Sequence, residues 1–287
     1  MKKIVSIIFT GISLLFLTSC NDNFLEKYPT DQISEGTFWR TEKDAKMALA
    51  GVYNSMMYRS AFNHGRMILD GLTDIGYSSA YPNIGQGIIE SSTGSIISST
   101  YSDCYAGISR CNIFLANIDK TEMTAQNIAI AKGEVLFLRA YFYFTLTEFY
   151  GGVPLYTKPV SIEEAIVEQS SKDAVVTQVL ADLDQAIANL PDQTYTGHAV
   201  KGSALALKAQ ALMHNQKWAE AATTANQIIT SGKFSLYNNY PNLFLAKGQE
   251  NNPEIIFSVR FLNPDAGINQ SGYAPMNPNQ ISAHGHI

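Results

Sequence analysis

The chain has 287 residues, of which 46% are hydrophobic and 16% charged, and its formal net charge is −5. That length suits one large or two modest domains. The acidic balance and the lack of any basic stripe argue against nucleic-acid binding.

Residues 1–20 read MKKIVSIIFTGISLLFLTSC. Lys2 and Lys3 form a positive start, and Ile4 to Leu17 is an uncharged, mostly apolar run. The run is too short for a membrane span and reads as the core of a signal peptide. Leu17-Thr18-Ser19-Cys20 then resembles a bacterial lipoprotein signal, in which the cysteine is acylated and becomes the mature N-terminus. One acyl chain holds a protein only marginally, whereas several anchor it stably. Residues 1–19 are therefore expected to be a signal peptide, Cys20 the lipid attachment point, 20–40 a lipidated tether and 41–287 the folded domain.

Thr41-Glu42-Lys43-Asp44 has the form of a helix N-cap with acids in the first turn. Ala45, Ala48, Leu49, Val52, Tyr53 and Met56 follow at helical spacing and predict an amphipathic helix over 42–58. A weaker helical pattern covers 62–73. In the next segment, 76–98, eleven of 23 residues are Gly, Ser or Thr, which predicts a long loop. Tyr101, Cys104, Tyr105, Ile108, Cys111 and Leu115 predict a helix over about 99–118. Cys104 and Cys111 lie two turns apart, roughly 10 Å. That exceeds the reach of about 7 Å for a disulfide, so both read as buried, unbridged thiols.

The most aromatic run of the chain, LFLRAYFYFTLTEFYGGVPL over 136–155, falls in a helix predicted for 127–150 and closed by Gly151, Gly152 and Pro154. On a helical wheel Glu134, Leu138, Tyr141, Thr145 and Glu148 fall within about 40° of one line and form the one mostly polar stripe. The rest of the circumference is apolar, so the helix is expected to be core with one narrow wet stripe. Arg139 lies off that stripe, and a buried guanidinium demands a carboxylate or carbonyl partner. Glu134, Arg139 and Glu148 interrupt the run and remove a membrane reading. An irregular segment over 153–170 leads to Ser171, a predicted N-cap for a helix over 172–190.

Helices over about 199–215 and 218–231 follow, joined by a short turn. Ala209, Leu212, the Asn215–Trp218 turn and Trp218-Ala219-Glu220-Ala221 match the tetratricopeptide pattern of small residues and an aromatic at the helix crossing. A strand is expected from Glu254 to Phe261. The fold class is thus all-α, built of tetratricopeptide-like helical hairpins with long loops and a minor β element near the C-terminus.

Taken in order, LTSC at 17–20, FWRTEKDAKMALAGVYNSM at 38–56, YAGISRCNIFLANI at 105–118, GEVLFLRAYFYFTLTEFYGGVPLYTKPV at 133–160, KGSALALKAQALMHNQKWAEAATTANQII at 201–229 and NPEIIFSVRF at 252–261 resemble the SusD/RagB family of Bacteroidota surface lipoproteins. The resemblance implies a helical, tetratricopeptide-containing protein on the outer face of the outer membrane that binds glycan. It also implies a partner, a SusC-like TonB-dependent barrel, over which the protein sits as a lid. Family members run about twice as long, and the chain ends in AHGHI with no terminal element, so the domain is expected to be incomplete at its C-terminus.

Sugar recognition requires flat rings for pyranose faces and Asp, Asn or Arg for hydroxyls, presented on surface loops. Asp74, Tyr77, Tyr81 and Asn83 are the ligand-binding candidates, with Tyr101 divided between this role and the helix core. Catalysis is not expected. Glu134 and Glu148 are 14 residues apart, roughly 21 Å along a helix, whereas glycosidase carboxylates sit about 5–10 Å apart. Glu163-Glu164 reads as a solvated loop, His284 and His286 as a frayed terminus, and Gly85-Gln86-Gly87 lacks the third glycine and preceding strand of a dinucleotide loop. No cofactor or metal is expected. The alternative to glycan binding is a tetratricopeptide adaptor that takes only protein or peptide partners.

Overall fold

The computed structural model describes residues 38–57, 86–90, 95–244 and 252–258. The signal peptide, Cys20, the pattern at 62–73, most of the 76–98 loop, His284 and His286 lie outside the described residues.

The described residues form α1 (Glu42–Tyr53), α2 (Ser95–Asn117), α3 (Ala125–Tyr150), α4 (Lys172–Asn189), α5 (Lys201–His214) and α6 (Trp218–Ser231). Local chemistry sets their starts. The Thr41 hydroxyl accepts from the Asp44 amide at 3.3 Å, while the Asp44 carboxylate accepts from the Thr41 amide at 2.7 Å, which closes a capping box. Thr124 and Ser171 cap α3 and α4 in the same way through their hydroxyls. Helix α2 begins four residues before the expected start. Ile96 and Thr100 are buried and extend the stripe of Cys104, Ile108 and Cys111 by about two turns, so packing overrides the serine-rich composition.

Helix α3 is the axis of the fold. It packs against α2 on one side and α4 on the other; α5 lies on α4, α6 on α5, and α1 spans α2 and α3. Phe137, Phe142, Tyr143 and Leu146 are fully buried, as the apolar circumference of this helix requires. Cys104 and Cys111 are buried and not disulfide-bonded. Burial pushes the Cys111 thiol pKa well up, so it behaves as a small hydrophobe. Trp39, at the end of the segment expected to be tether, is buried edge-on against Phe114, with ring centroids 5.7 Å apart.

The expected wet stripe of α3 is largely dry, with Tyr141 and Glu148 half-buried. Glu134 is 6% exposed and Thr145 2%, whereas Phe149, placed on the apolar side by the wheel, is 41% exposed. The reason is tertiary. Tyr53 of α1 and His198, which precedes α5, cover this face and answer its carboxylate. The Tyr53 hydroxyl donates to Glu134 Oε2 at 2.5 Å, and His198 Nδ1 lies 2.8 Å from the same oxygen. Thr145 donates to the carbonyl of Tyr141 within the helix.

The strand expected from Glu254 is not formed over 254–258, where the backbone turns and then runs irregularly. Side chains take its carbonyls instead: Ser203 donates to Ile256 O at 2.9 Å and Tyr195 to Ser258 O at 2.6 Å. The remainder of that expectation, 259–261, lies outside the described residues. The tetratricopeptide-like pair α5–α6 is present, joined by the tight turn at Asn215–Lys217. Trp218, however, stands outward and is 62% exposed rather than filling the crossing, where Ala221 and Thr224 are buried.

The hydrogen bond to Glu134 and burial act on His198 in opposite directions, and the bond prevails, raising its pKa above 6.5. A raised folded-state value means the charged pair stabilises fully below the unfolded pKa near 6.5, and this is lost as pH rises through the folded value. Melting temperature is therefore expected to fall slightly as pH rises past 6.5. Glu134→Gln should flatten that slope in a thermal melt series, and an unchanged slope would remove the pair as its cause.

Candidate functional site

Between α2 and the segment after α3 lies a cleft of about 440 Å³. Tyr101, Tyr105 and Ile108 of α2 form one wall, and Pro154, Tyr156 and Lys158 form the other. The second wall is an irregular strap over residues 152–160, with no ladder to satisfy its backbone, and buried carbonyls need partners.

Side chains and one main-chain amide supply them. Gln169 donates to the Gly152 carbonyl, and the Ser170 amide to Val153 O at 3.2 Å. Tyr105 donates to Pro154 O at 2.6 Å. Tyr143 donates to Tyr156 O at 2.9 Å and accepts from the Tyr156 amide at 2.7 Å. Asn112 Nδ2 reaches Tyr156 O at 3.0 Å and Lys158 O at 3.3 Å. Arg139 Nη1 donates to Thr157 O at 3.1 Å. The strap is thus suspended from α2 and α3.

Its entry depends on two glycines with different duties. Gly151 ends α3 at φ 71° and ψ −119°, a conformation closed to residues with a Cβ. A Cβ on Gly152 would lie 2.3 Å from the carbonyl oxygen of Ser170, so only glycine lets the strap pass the start of α4.

The rings are fixed as well as the backbone. Tyr101 and Tyr105 lie 4.8 Å apart, Tyr105 meets Tyr156 edge-on at 5.8 Å, and Tyr156 donates to Ala165 O at 2.6 Å. All three rings are half-buried, so each shows an edge or face to the cleft. Burial, then the hydrogen bond with Tyr101, raises the Tyr105 pKa far above the usual phenol value, which keeps it neutral. Lys158, exposed at the mouth, is the charged residue of the lining. Ser102 and Ser109 add exposed hydroxyls from α2. Chemically, the cleft can stack flat apolar faces and hydrogen-bond a rim of hydroxyls.

The sequence candidates Asp74, Tyr77, Tyr81 and Asn83 lie outside the described residues. Tyr101 packs on Tyr105 and Tyr150, as its place on the helix stripe required, and it also lines the cleft. The sequence places Tyr105 only on a helical stripe and gives Tyr156 and Lys158 no site role; the available signal is one tyrosine between two prolines, Pro154 and Pro159, just after an aromatic helix. Glu134 and Glu148 do not converge on one site. Glu134 joins Tyr53 and His198, and Glu148 pairs with His214. Glu163 and Glu164 occupy an exposed 3-10 turn.

A family model described as starch-binding, associating with the outer membrane, matches residues 23–213. The chain belongs to the SusD-like family. Two SusD-like proteins of Formosa agariphila are similar over most of the chain. One is 33% identical over 297 residues, covering 95% of this chain and 57% of the relative. The other is 28% identical over 289 residues, covering 94% and 54%. A solved structure of a laminarin-binding SusD-like protein superposes with a TM-score of 0.67 at 27% identity, covering 74% of this chain and 50% of that one. This SusD-like chain therefore spans about half the length of the curated relatives it matches. Among its described residues no helix is long and apolar enough to cross a membrane.

Proposed function

We propose that this chain is the glycan-capturing part of a cell-surface lipoprotein, anchored through acylated Cys20, that passes oligosaccharide or polysaccharide to a SusC-like TonB-dependent barrel. The role is binding without catalysis. The observation that carries the reading is the cleft of Tyr101, Tyr105 and Tyr156, whose rings are fixed before any ligand arrives. Rings already held in place lose little freedom on binding, which favours affinity. Membership in a family described as starch-binding supports sugar as the ligand. Asp74, Tyr77, Tyr81 and Asn83 belong to the proposal as further sugar contacts.

Calorimetry of the full chain against a panel of polysaccharides tests it. Binding to at least one glycan is expected, weakened about tenfold or more by Tyr156→Ala. Trp218→Ala, on the far helix α6, should leave the affinity unchanged. No binding to any glycan by a stably folded chain would count against the reading. A second reading, an adaptor for protein partners, is favoured by the exposed apolar residues Trp218 and Ile229 on α6, 62% and 73% exposed. It predicts co-purification with an outer-membrane barrel and no response to sugar.

A further inference from the structure

Beneath the strap sits a buried ion pair. Arg139 donates through Nε and Nη2 to the two oxygens of Asp182, each at 2.7 Å, and the two side chains are 6% and 0% exposed. Burial works against the charge on Arg139, but the hydrogen bonds and charge of Asp182 outweigh it and raise the Arg139 pKa further. The guanidinium is therefore permanently charged and held in one orientation. Gln178 donates to Asp182 Oδ1 at 2.7 Å and holds the carboxylate from the same helix.

The pair does more than join α3 to α4, which already pack through Val135, Leu138, Val179 and Leu183. A buried ion pair is often no more stabilising than apolar residues of similar volume. What an apolar pair cannot supply is direction. Arg139 Nη1 donates outward to Asn112 Oδ1 at 2.8 Å and to Thr157 O at 3.1 Å. With its oxygen committed to Arg139, the Asn112 amide must present its NH₂ the other way, at the carbonyls of Tyr156 and Lys158. One fork thus sets three consecutive strap carbonyls, those of Tyr156, Thr157 and Lys158.

We propose that Arg139 and Asp182 are positioning residues for the ligand cleft: through Thr157 and Asn112 they hold the strap, and with it the Tyr156 ring and the Lys158 ammonium. The proposal rests on the sugar-binding reading of the cleft for its effect on affinity, but its effect on the strap can be measured without any ligand.

The test is the double variant Arg139→Met with Asp182→Leu in the full chain, read by thermal melt, by hydrogen exchange at the amides of residues 156–158, and by calorimetry on the glycan panel. The melt should stay close to that of the parent, since both charges leave together. Exchange at the strap should accelerate about tenfold or more, as local opening becomes easier, and glycan affinity should fall about tenfold as preorganisation is lost. Asn112→Ala, which leaves the ion pair in place, should speed strap exchange in the same way and covers the case of a poorly folding double variant. Unchanged strap exchange in either folded variant overturns the proposal. If the parent chain binds no glycan yet strap exchange rises, the sugar reading fails and the positioning role stands.

Discussion

Asp182→Leu alone is expected to destabilise the protein by about 3–5 kcal/mol, because it leaves the Arg139 guanidinium buried without its counter-charge. Asp182 is fully buried and supplies both oxygens of the pair, so no water can take its place without reorganising α4. For a chain of this size the loss should lower the melting temperature by roughly 10 °C. Asp182→Asn, which keeps a carbonyl acceptor, should cost less. Thermal or urea unfolding followed by circular dichroism measures both. The contrast with the double variant is the informative part: one substitution strands a charge, two remove it. A loss below about 1 kcal/mol for Asp182→Leu would mean that the interior is wetter there than the burial implies.

Gly152→Ala is the second large effect. The added methyl would meet the Ser170 carbonyl oxygen at 2.3 Å and the Lys172 amide nitrogen at 3.2 Å. Both are backbone atoms at the entry to α4, so neither can rotate aside. Relief requires the strap to move away from α4, which breaks the bond from the Ser170 amide to Val153 O. A cost of about 1–3 kcal/mol in denaturant unfolding is expected. Glycan affinity should fall as well, since Pro154 and Tyr156 lie just downstream on the cleft wall. A stability change within experimental error would show that the strap has slack at its start.

How much of this could be read beforehand depended on where the controlling partner lay. Helices α1 and α3 to α6 are local events: caps at Thr41 and Ser171, apolar spacing, and stops at Gly151 and Gly232. The need of Arg139 for a partner followed from the wheel, because a charge on an apolar face has no other solution. Its identity did not follow. Asp182 lies 43 residues away beside the apolar stripe of α4, where an acid reads equally well as solvated. The wet stripe failed for the same reason, since only the fold brings Tyr53 and His198 over Glu134, from 81 and 64 residues away. The cleft was least legible. Irregular backbone has no period, and the strap is held by residues 49, 44 and 18 positions distant: Tyr105, Asn112 and Arg139. Composition points instead to the loop residues Asp74, Tyr77, Tyr81 and Asn83, which stand as a separate proposal.

The suspension of the strap has a consequence for how such a protein can change. Once past Gly152, where only glycine fits, its path over Thr157 and Lys158 is set by donors on α2 and α3 rather than by the side chains at those two positions. Thr157, Lys158, Pro159 and Val160 are all exposed, and Thr157 and Lys158 lend the scaffold only their carbonyls. Those positions are therefore open to substitution without disturbing the helices beneath. The arrangement separates the chemistry displayed at the cleft from the labour of folding, so on the proposed function a new ligand preference needs only the exchange of a few surface side chains on an unaltered frame.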